Sequence, residues 1–394
     1  MRQNKALIHI TFIVSVFFVL IGSAVISFAV DDSVYSTQEA RMLSRFTAPS
    51  CENLLDGSWF RLFEDYNKDQ FVQREHCMTS YYAFLDFLHV NERNGYVRGK
   101  GNQILNVRSF RESPSHAEAA RNFGIGQADA MAKIAAAADE YGGKVIYMNI
   151  PYRMEFYANM YPQFYANGKE ITTIQRASII EKAKQQGIAV VETYDLLRSH
   201  EDEYIFFTTD HHWTIRGAYY GYQELLKCIN QDNPQWNLQF PSFDDLKVSA
   251  SQERMVGSYL RVWGDGGSIS NDYMEYAIPY DMPAYSRFDN GEPSELPLMD
   301  VTFNGYGAFM YGDHANTLID TSRPDLPSVL YIGFSYTNPL EVLSVYNFDT
   351  VESLDPRHWT GSICEHVRES QADYVVIVKD DIYEGNREFV CHVE

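Results

Sequence analysis

Apolar positions fall into three patterns along the chain. The first is an unbroken run. Ala6 to Val30 carries no charge, Arg2 and Lys5 precede it, and Asp31 and Asp32 close it. A helix of that length spans roughly 37 Å, enough to cross a bilayer. The second pattern has helical spacing. Leu54, Phe60, Phe63, Tyr66 and Phe71, continued by Tyr81, Phe84 and Leu88, predict helix over 52–90. His116 to Tyr141 is an Ala-rich helical stretch that Gly142-Gly143 can close. Thr172-x-x-Gln175 reads as a capping box opening a helix to Gln186, ended by Gly187, and a further helix is expected from just after His212 through Leu226. The third pattern is short and apolar on both faces: 144–150, 188–193, 328–332 and 374–378. Such runs suit the strands of a buried parallel sheet, and their alternation with helices predicts a doubly wound α/β sandwich. Residues 230–325, rich in Asp, Gly, Pro, Ser and Tyr, break the alternation and are expected to form an irregular or β-rich insertion, or a small separate domain. The resulting division is an anchor over 1–30, a stalk and helical segment over 31–100, and an α/β domain over 101–394.

The flanks of the first run give it a direction. Positive charge before it and acid after it place the bulk of the chain outside the cytoplasmic membrane. The run is long for a secretory signal, and Ser27-Phe28-Ala29-Val30 makes a poor cleavage site, so an uncleaved single-pass anchor is expected. The formal charge of −21 argues against a nucleic-acid partner and against broad docking on anionic lipid. The high aromatic content, 14%, fits sugar-stacking surfaces and packed cores alike. Five cysteines include no C-x-x-C pair. Cys364 with Cys391, and Cys51 with Cys77, are the pairs that could staple the chain in an oxidising compartment.

Two segments carry candidate chemistry. Thr208-Thr209-Asp210-His211-His212-Trp213-Thr214 follows an apolar stretch, where an α/β fold gathers reactive groups. Asp210 and His212 are two apart on a loop, so the carboxylate can reach the ring and favour its imidazolium. A plainer reading makes Asp210 or Thr214 the N-cap of the following helix. Gly333-Phe334-Ser335-Tyr336 ends a buried run just before a helix, a place suited to a nucleophile, although Thr337 replaces the second Gly of a nucleophile elbow. Ser335, His212 and Asp210 supply a nucleophile, a base and an orienting group. A metal reading uses Asp210, His211 and His212 with His314 as the nearest further ligand, but no paired-histidine motif supports it, and neither metal nor cofactor is expected.

Thr209-Asp210-His211-His212-Trp213-Thr214 with Gly217-Ala218 resembles the signature of the DHHW family, which is similar to the SGNH-hydrolase-like domain of alginate O-acetyltransferases. Softer matches are Phe63-Glu64-Asp65-Tyr66 with Asp69, Phe71 and Arg74; Val145 to Pro151; Tyr306-Gly307-Ala308-Phe309 with Gly312-Asp313; the Ser335 turn; and Tyr374 to Val378. The resemblance implies an SGNH-hydrolase-like (flavodoxin-like) three-layer α/β/α sandwich with a Ser335-His212-Asp210 triad, His211 being the variable position. Phe334 departs from the Asp that many members carry before the serine.

The expected activity is acyl transfer, as an O-acetyltransferase or acetylesterase, on a cell-surface or exported polysaccharide. Tyr306, Arg153, Asn149 and Asn338 are the candidate substrate-binding residues. The negative charge favours a neutral or amino-sugar glycan over an anionic one. The rival expectation, to which Phe334 lends weight, is a non-catalytic glycan-binding or assembly protein on a degenerate hydrolase fold.

Overall fold

A computed structural model describes the chain except residues 1, 28, 30–31, 37–38, 40, 108–116, 270–271, 280, 381–388, 391 and 394. It divides into two units, residues 1–93 with 261–269, and residues 94–260 with 270–394.

The first unit begins with a helix, Arg2–Ser27, whose Ile8–Ser27 stretch is long and apolar enough to cross a membrane. Helices Cys51–Leu55, Ser58–Asp69 and Arg74–Phe87 follow. The polar stretch expected to be a stalk is folded back onto them. Asp69 accepts from Arg41 and from the Ser44 amide, and the Gln70 side chain bonds Ser33 and Ser44. Cys51 and Cys77 are separate exposed thiols, so that staple is absent, and Cys391 lies outside the described residues.

The second unit is built on one eight-stranded sheet. Its strands are β1 (Lys144–Ile150), β2 (Ala189–Glu192), β3 (Ser286–Asp289), β4 (Glu292–Pro293), β5 (Asn316–Asp320), β6 (Val329–Gly333), β7 (Thr350–Leu354) and β8 (Tyr374–Asp380). They lie in the order β4-β3-β5-β7-β6-β8-β1-β2. From β7 to β2 all neighbours are parallel, whereas β4, β3, β5 and β7 pair antiparallel. The last strand of the chain thus enters the sheet between β6 and β1. Two of the four predicted strands, β6 and β8, sit at its centre, and both faces of each are covered. Val375, Ile377, Leu330 and Ile332 pack with helices α1 (Ala117–Asp139), α2 (Lys169–Gln185) and α5 (Ile363–Ser370). Val376, Val378, Val329 and Tyr331 pack with helices α3 (Ile215–Asp232) and α4 (Asn338–Ser344). Continuous apolar runs are the sequence imprint of this double coverage.

One expectation needs correction. Helix α2 starts at Lys169, so Thr172 and Gln175 are buried inside it and no capping box forms. The 230–325 stretch is β-rich, and three of its strands, β3, β4 and β5, extend the main sheet; another pair, Lys247–Ala250 and Glu275–Ile278, stands apart.

Candidate active site

Two turns meet in the second unit. The first is a tight loop. The Phe207 amide bonds the His212 carbonyl at 3.2 Å and the Thr214 amide bonds Ile205 at 2.9 Å, which leaves Thr208 to His211 at the tip. Thr214 occupies the N-cap position of α3, but its hydroxyl bonds the Tyr204 carbonyl. Asp210 does not cap α3 either; its carboxylate points to the His212 ring. The second turn follows β6. Phe334 leads into a 3₁₀ turn, Ser335–Thr337, closed by the Thr337 amide on Phe334 at 2.9 Å and continued by α4. Tyr336 Oη links the two turns by donating to the His211 carbonyl at 2.7 Å.

Between them runs a relay. Asp210 Oδ1 lies 2.6 Å from His212 Nδ1, and His212 Nε2 lies 2.6 Å from Ser335 Oγ. Asp210 also accepts from the amides of His212 (3.1 Å) and Ser258 (2.6 Å). Burial opposes the charge on Asp210, but the two histidines, the His212 hydrogen bond and the Ser258 amide outweigh it and hold the carboxyl well below its ordinary range. Burial and the neighbouring His212 push the His211 imidazole down to about 3. Its Nδ1 sits 2.9 Å from Ser258 Oγ. The Tyr306 ring stacks flat on His212, centroids 3.7 Å apart and 9° from parallel. Burial raises the Tyr306 phenol far above its usual value, so the ring against the imidazole stays uncharged.

Several residues without a sequence signal build this geometry. Asp272, buried, accepts from the amides of Thr208 and Thr209, each at 2.6 Å, and from the Thr209 hydroxyl. The Gly257 amide bonds Thr209 Oγ1 at 3.1 Å, and a β-carbon added to Gly257 would overlap the Thr209 carbonyl and come within 2.7 Å of Asp210 Cβ. The obstructing atoms are mostly backbone and cannot swing away. Gly257→Ala is therefore expected to displace the Asp210 loop and cut turnover by about 10²-fold or more, the usual result of an ångström-scale misplacement. Steady-state kinetics on the folded variant measures it.

The remaining predicted residues make hydrogen bonds within the protein. Arg153 donates to the carbonyls of Phe207 (3.1 Å), Ile104 (2.5 Å) and Thr208 (2.6 Å), and to the Gln103 side chain. Its guanidinium braces the base of the histidine loop. Asn149 donates to Tyr147 Oη at 2.9 Å within the sheet layer, and Asn338 donates to Asp313 at 3.0 Å. Phe334 is buried with the Arg357 guanidinium 5.2 Å from its ring centre, and Arg357 also pairs with Asp313 and Asp355. Ser335 and His212 are each 7% exposed, and the neighbouring pocket is lined by Phe334, Thr337 and Asn338, which flank the serine.

That pocket also holds Glu341, which accepts from Thr337 Oγ1 at 2.6 Å and Ser353 Oγ at 2.9 Å. Burial pushes its carboxyl up to about 7 against those two hydrogen bonds. A carboxyl raised on folding contributes stability below its unfolded value and loses it as pH rises through the folded value. Melting temperature is expected to fall between about pH 4.3 and pH 7, with Glu341→Gln removing a component on the order of 3 kcal/mol. Thermal scans across that window test it.

Among the described residues, two groups offer three metal-ligand atoms within 4.8 Å of one another: Asp210, His211 and His212; and Asp313, Asp355 and His358. In the first, the His212 nitrogens face Asp210 and Ser335. In the second, Asp313 and Asp355 are held by Arg357 and Asn338. His314 joins neither.

Residues 110–263 match the model of the SGNH hydrolase-like domain of acetyltransferase AlgX. The second unit has an SGNH-hydrolase-like fold. Two solved structures share the fold: a DHHW family protein from Eubacterium siraeum (TM-score 0.58, 16% identity, covering 77% of this chain and 97% of that one) and Bacillus cereus PatB1 (TM-score 0.60, 15% identity, 73% and 95%). PatB1 has also been solved with a sulfonyl adduct. In sequence, the chain is 27% identical over 318 residues to a probable alginate O-acetylase AlgJ of Pseudomonas syringae pv. tomato, covering 74% of this chain and 70% of that protein. The matched residues include strands β1 and β2 of the second unit's sheet and the loop that carries Asp210 and His212.

Proposed function

We propose that the protein is a single-pass membrane protein whose SGNH-like domain, outside the cytoplasmic membrane, transfers an acetyl group to a polysaccharide hydroxyl through Ser335, His212 and Asp210. The carrying observation is the continuous Asp210–His212–Ser335 relay, with both links at 2.6 Å. The similarity to an alginate O-acetylase supports the substrate class, and the apolar Ile8–Ser27 stretch supports the anchor.

In the first half-reaction His212 Nε2 takes the Ser335 proton as Oγ attacks the carbonyl carbon of an acyl ester. Asp210 steadies the imidazolium. The Ser335 and Tyr336 amides, which open the 3₁₀ turn, are the donors assigned to the oxyanion. The ester C–O bond then breaks and His212 protonates the departing oxygen. In the second half-reaction His212 deprotonates a sugar hydroxyl, which attacks the acyl-serine; the Ser335 ester bond breaks and the serine recovers its proton. Water in place of the sugar makes the same enzyme an esterase.

A serine-directed fluorophosphonate, applied to the full-length chain in detergent, tests the reading. Labelling at Ser335 with turnover of an acetyl ester supports it, and mass analysis of an added oligosaccharide separates transfer from hydrolysis. A folded chain that binds polysaccharide yet neither labels nor turns over ester rejects it in favour of a binding protein.

A further inference from the structure

The first unit presents an apolar face that its own packing does not use. On helix Arg74–Phe87, Tyr82 and Asp86 point inward. Tyr82 lies so close to Gly264 that a β-carbon there would overlap its ring, and Asp86 pairs with Arg93, which bonds the Gly264 carbonyl at 3.1 Å and stacks 3.9 Å from the Trp263 ring centre. The other charges near the start of the helix are also engaged: Arg74 with Glu39 at 2.7 Å and Glu75 with Ser36 Oγ at 2.9 Å. At helical spacing on the opposite side stand Tyr81, Phe84, Phe87 and Leu88, exposed by 58%, 56%, 76% and 51%. Four large apolar side chains in one stripe, free of charge, are costly to leave in water.

The place of this helix in the chain says what covers the stripe. The Ser27 hydroxyl, in the last turn of the apolar N-terminal helix, accepts from the Val72 amide at 2.9 Å, two residues before Arg74. Phe71, beside that bond, is itself exposed. A bilayer crossed by the N-terminal helix would therefore end where helix Arg74–Phe87 begins. Aromatic side chains are enriched at that depth, and amphipathic helices lie there with their apolar stripe in the headgroup–acyl boundary.

We propose that helix Arg74–Phe87 lies on the outer surface of a phospholipid bilayer, with Tyr81, Phe84, Phe87 and Leu88 inserted. This rests on the anchor reading above. The stripe carries no basic residue, so its affinity is apolar and independent of anionic lipid.

The test uses the full-length chain in phosphatidylcholine vesicles containing a phosphatidylcholine with a photoactivated carbene on its acyl chain. Adducts are mapped by mass spectrometry, with hydroxyl-radical footprinting in parallel. Adducts are expected on 8–27 and on 81–88 but not on 64–68. Those on 81–88 are expected to be lost, and those on 8–27 kept, in a Tyr81→Ser, Phe84→Ser, Phe87→Ser variant, whose altered positions are all exposed. Yield on 81–88 should not change with added phosphatidylglycerol; a yield that requires it overturns the proposal. Adducts confined to 8–27 leave the anchor standing and overturn the surface helix. Protection of 81–88 from both reagents assigns the stripe to a protein partner or a second copy and likewise overturns it. Absence of adducts on 8–27 removes the anchor reading and this inference together.

Discussion

Ser335→Ala is expected to abolish fluorophosphonate labelling and to cut ester turnover by roughly 10⁴- to 10⁶-fold, the range seen when a nucleophile is removed from a serine triad. The change deletes one oxygen and leaves the 3₁₀ turn intact, because that turn is closed by the Thr337 amide on Phe334 and tied to the histidine loop by Tyr336. His212 Nε2 loses its only partner along the relay, at a stability cost of about 1 kcal/mol. Melting temperature should thus stay near that of the parent while activity collapses. Adding His212→Ala should cost little more, since residues that act as a unit are not additive. A second variant with a further large loss would show that Ser335 and His212 act separately, and the two-step mechanism would fail.

Asp210→Asn is expected to lower turnover by about 10⁴-fold with Ser335 still in place. The amide is nearly the same shape, but it carries no charge to balance the imidazolium, and it can offer an N–H to the ring nitrogen that needs an acceptor. Stability should change with a definite sign. The Asp210 carboxyl is held well below its ordinary range in the folded chain. It therefore contributes stability above its unfolded value of about 3.9, lost as pH falls through the folded value. Acid unfolding of the parent below about pH 4 should include this contribution, and the variant should lack it. Activity and acid-unfolding profiles of the two proteins give both readouts.

Much of the sheet could be read from local pattern, because a strand covered on both faces must be apolar at every position. Strand β7, Thr350–Leu354, escaped that reading. Glu352 and Ser353 interrupt it, and their polar groups are met by Asn316, His366 and Glu341 from other parts of the chain. The capping box failed for a related reason. Thr172 and Gln175 had the right spacing, but the chain before them was already helical. Arg153 and Asn149 lay at a strand end, where polar groups often meet substrate. Asn149 instead bonds Tyr147 two positions back in its own strand, and the acceptors of Arg153 lie 49 to 55 residues away, which no local spacing displays.

The sequence alone determined the inventory: an apolar run able to cross a membrane, buried strands, an Asp two residues before a His, and a Ser at the end of an apolar strand. These features are local, and residues close in the chain stay close in any fold. Tertiary structure decided that Ser335 meets His212 across 123 positions. It also decided that Asp272 and Gly257 shape the loop between them, and that Tyr306 covers the imidazole. Contacts of that range are selected by the packing of the whole sheet, where each buried donor must find an acceptor, and a one-dimensional pattern does not contain that choice.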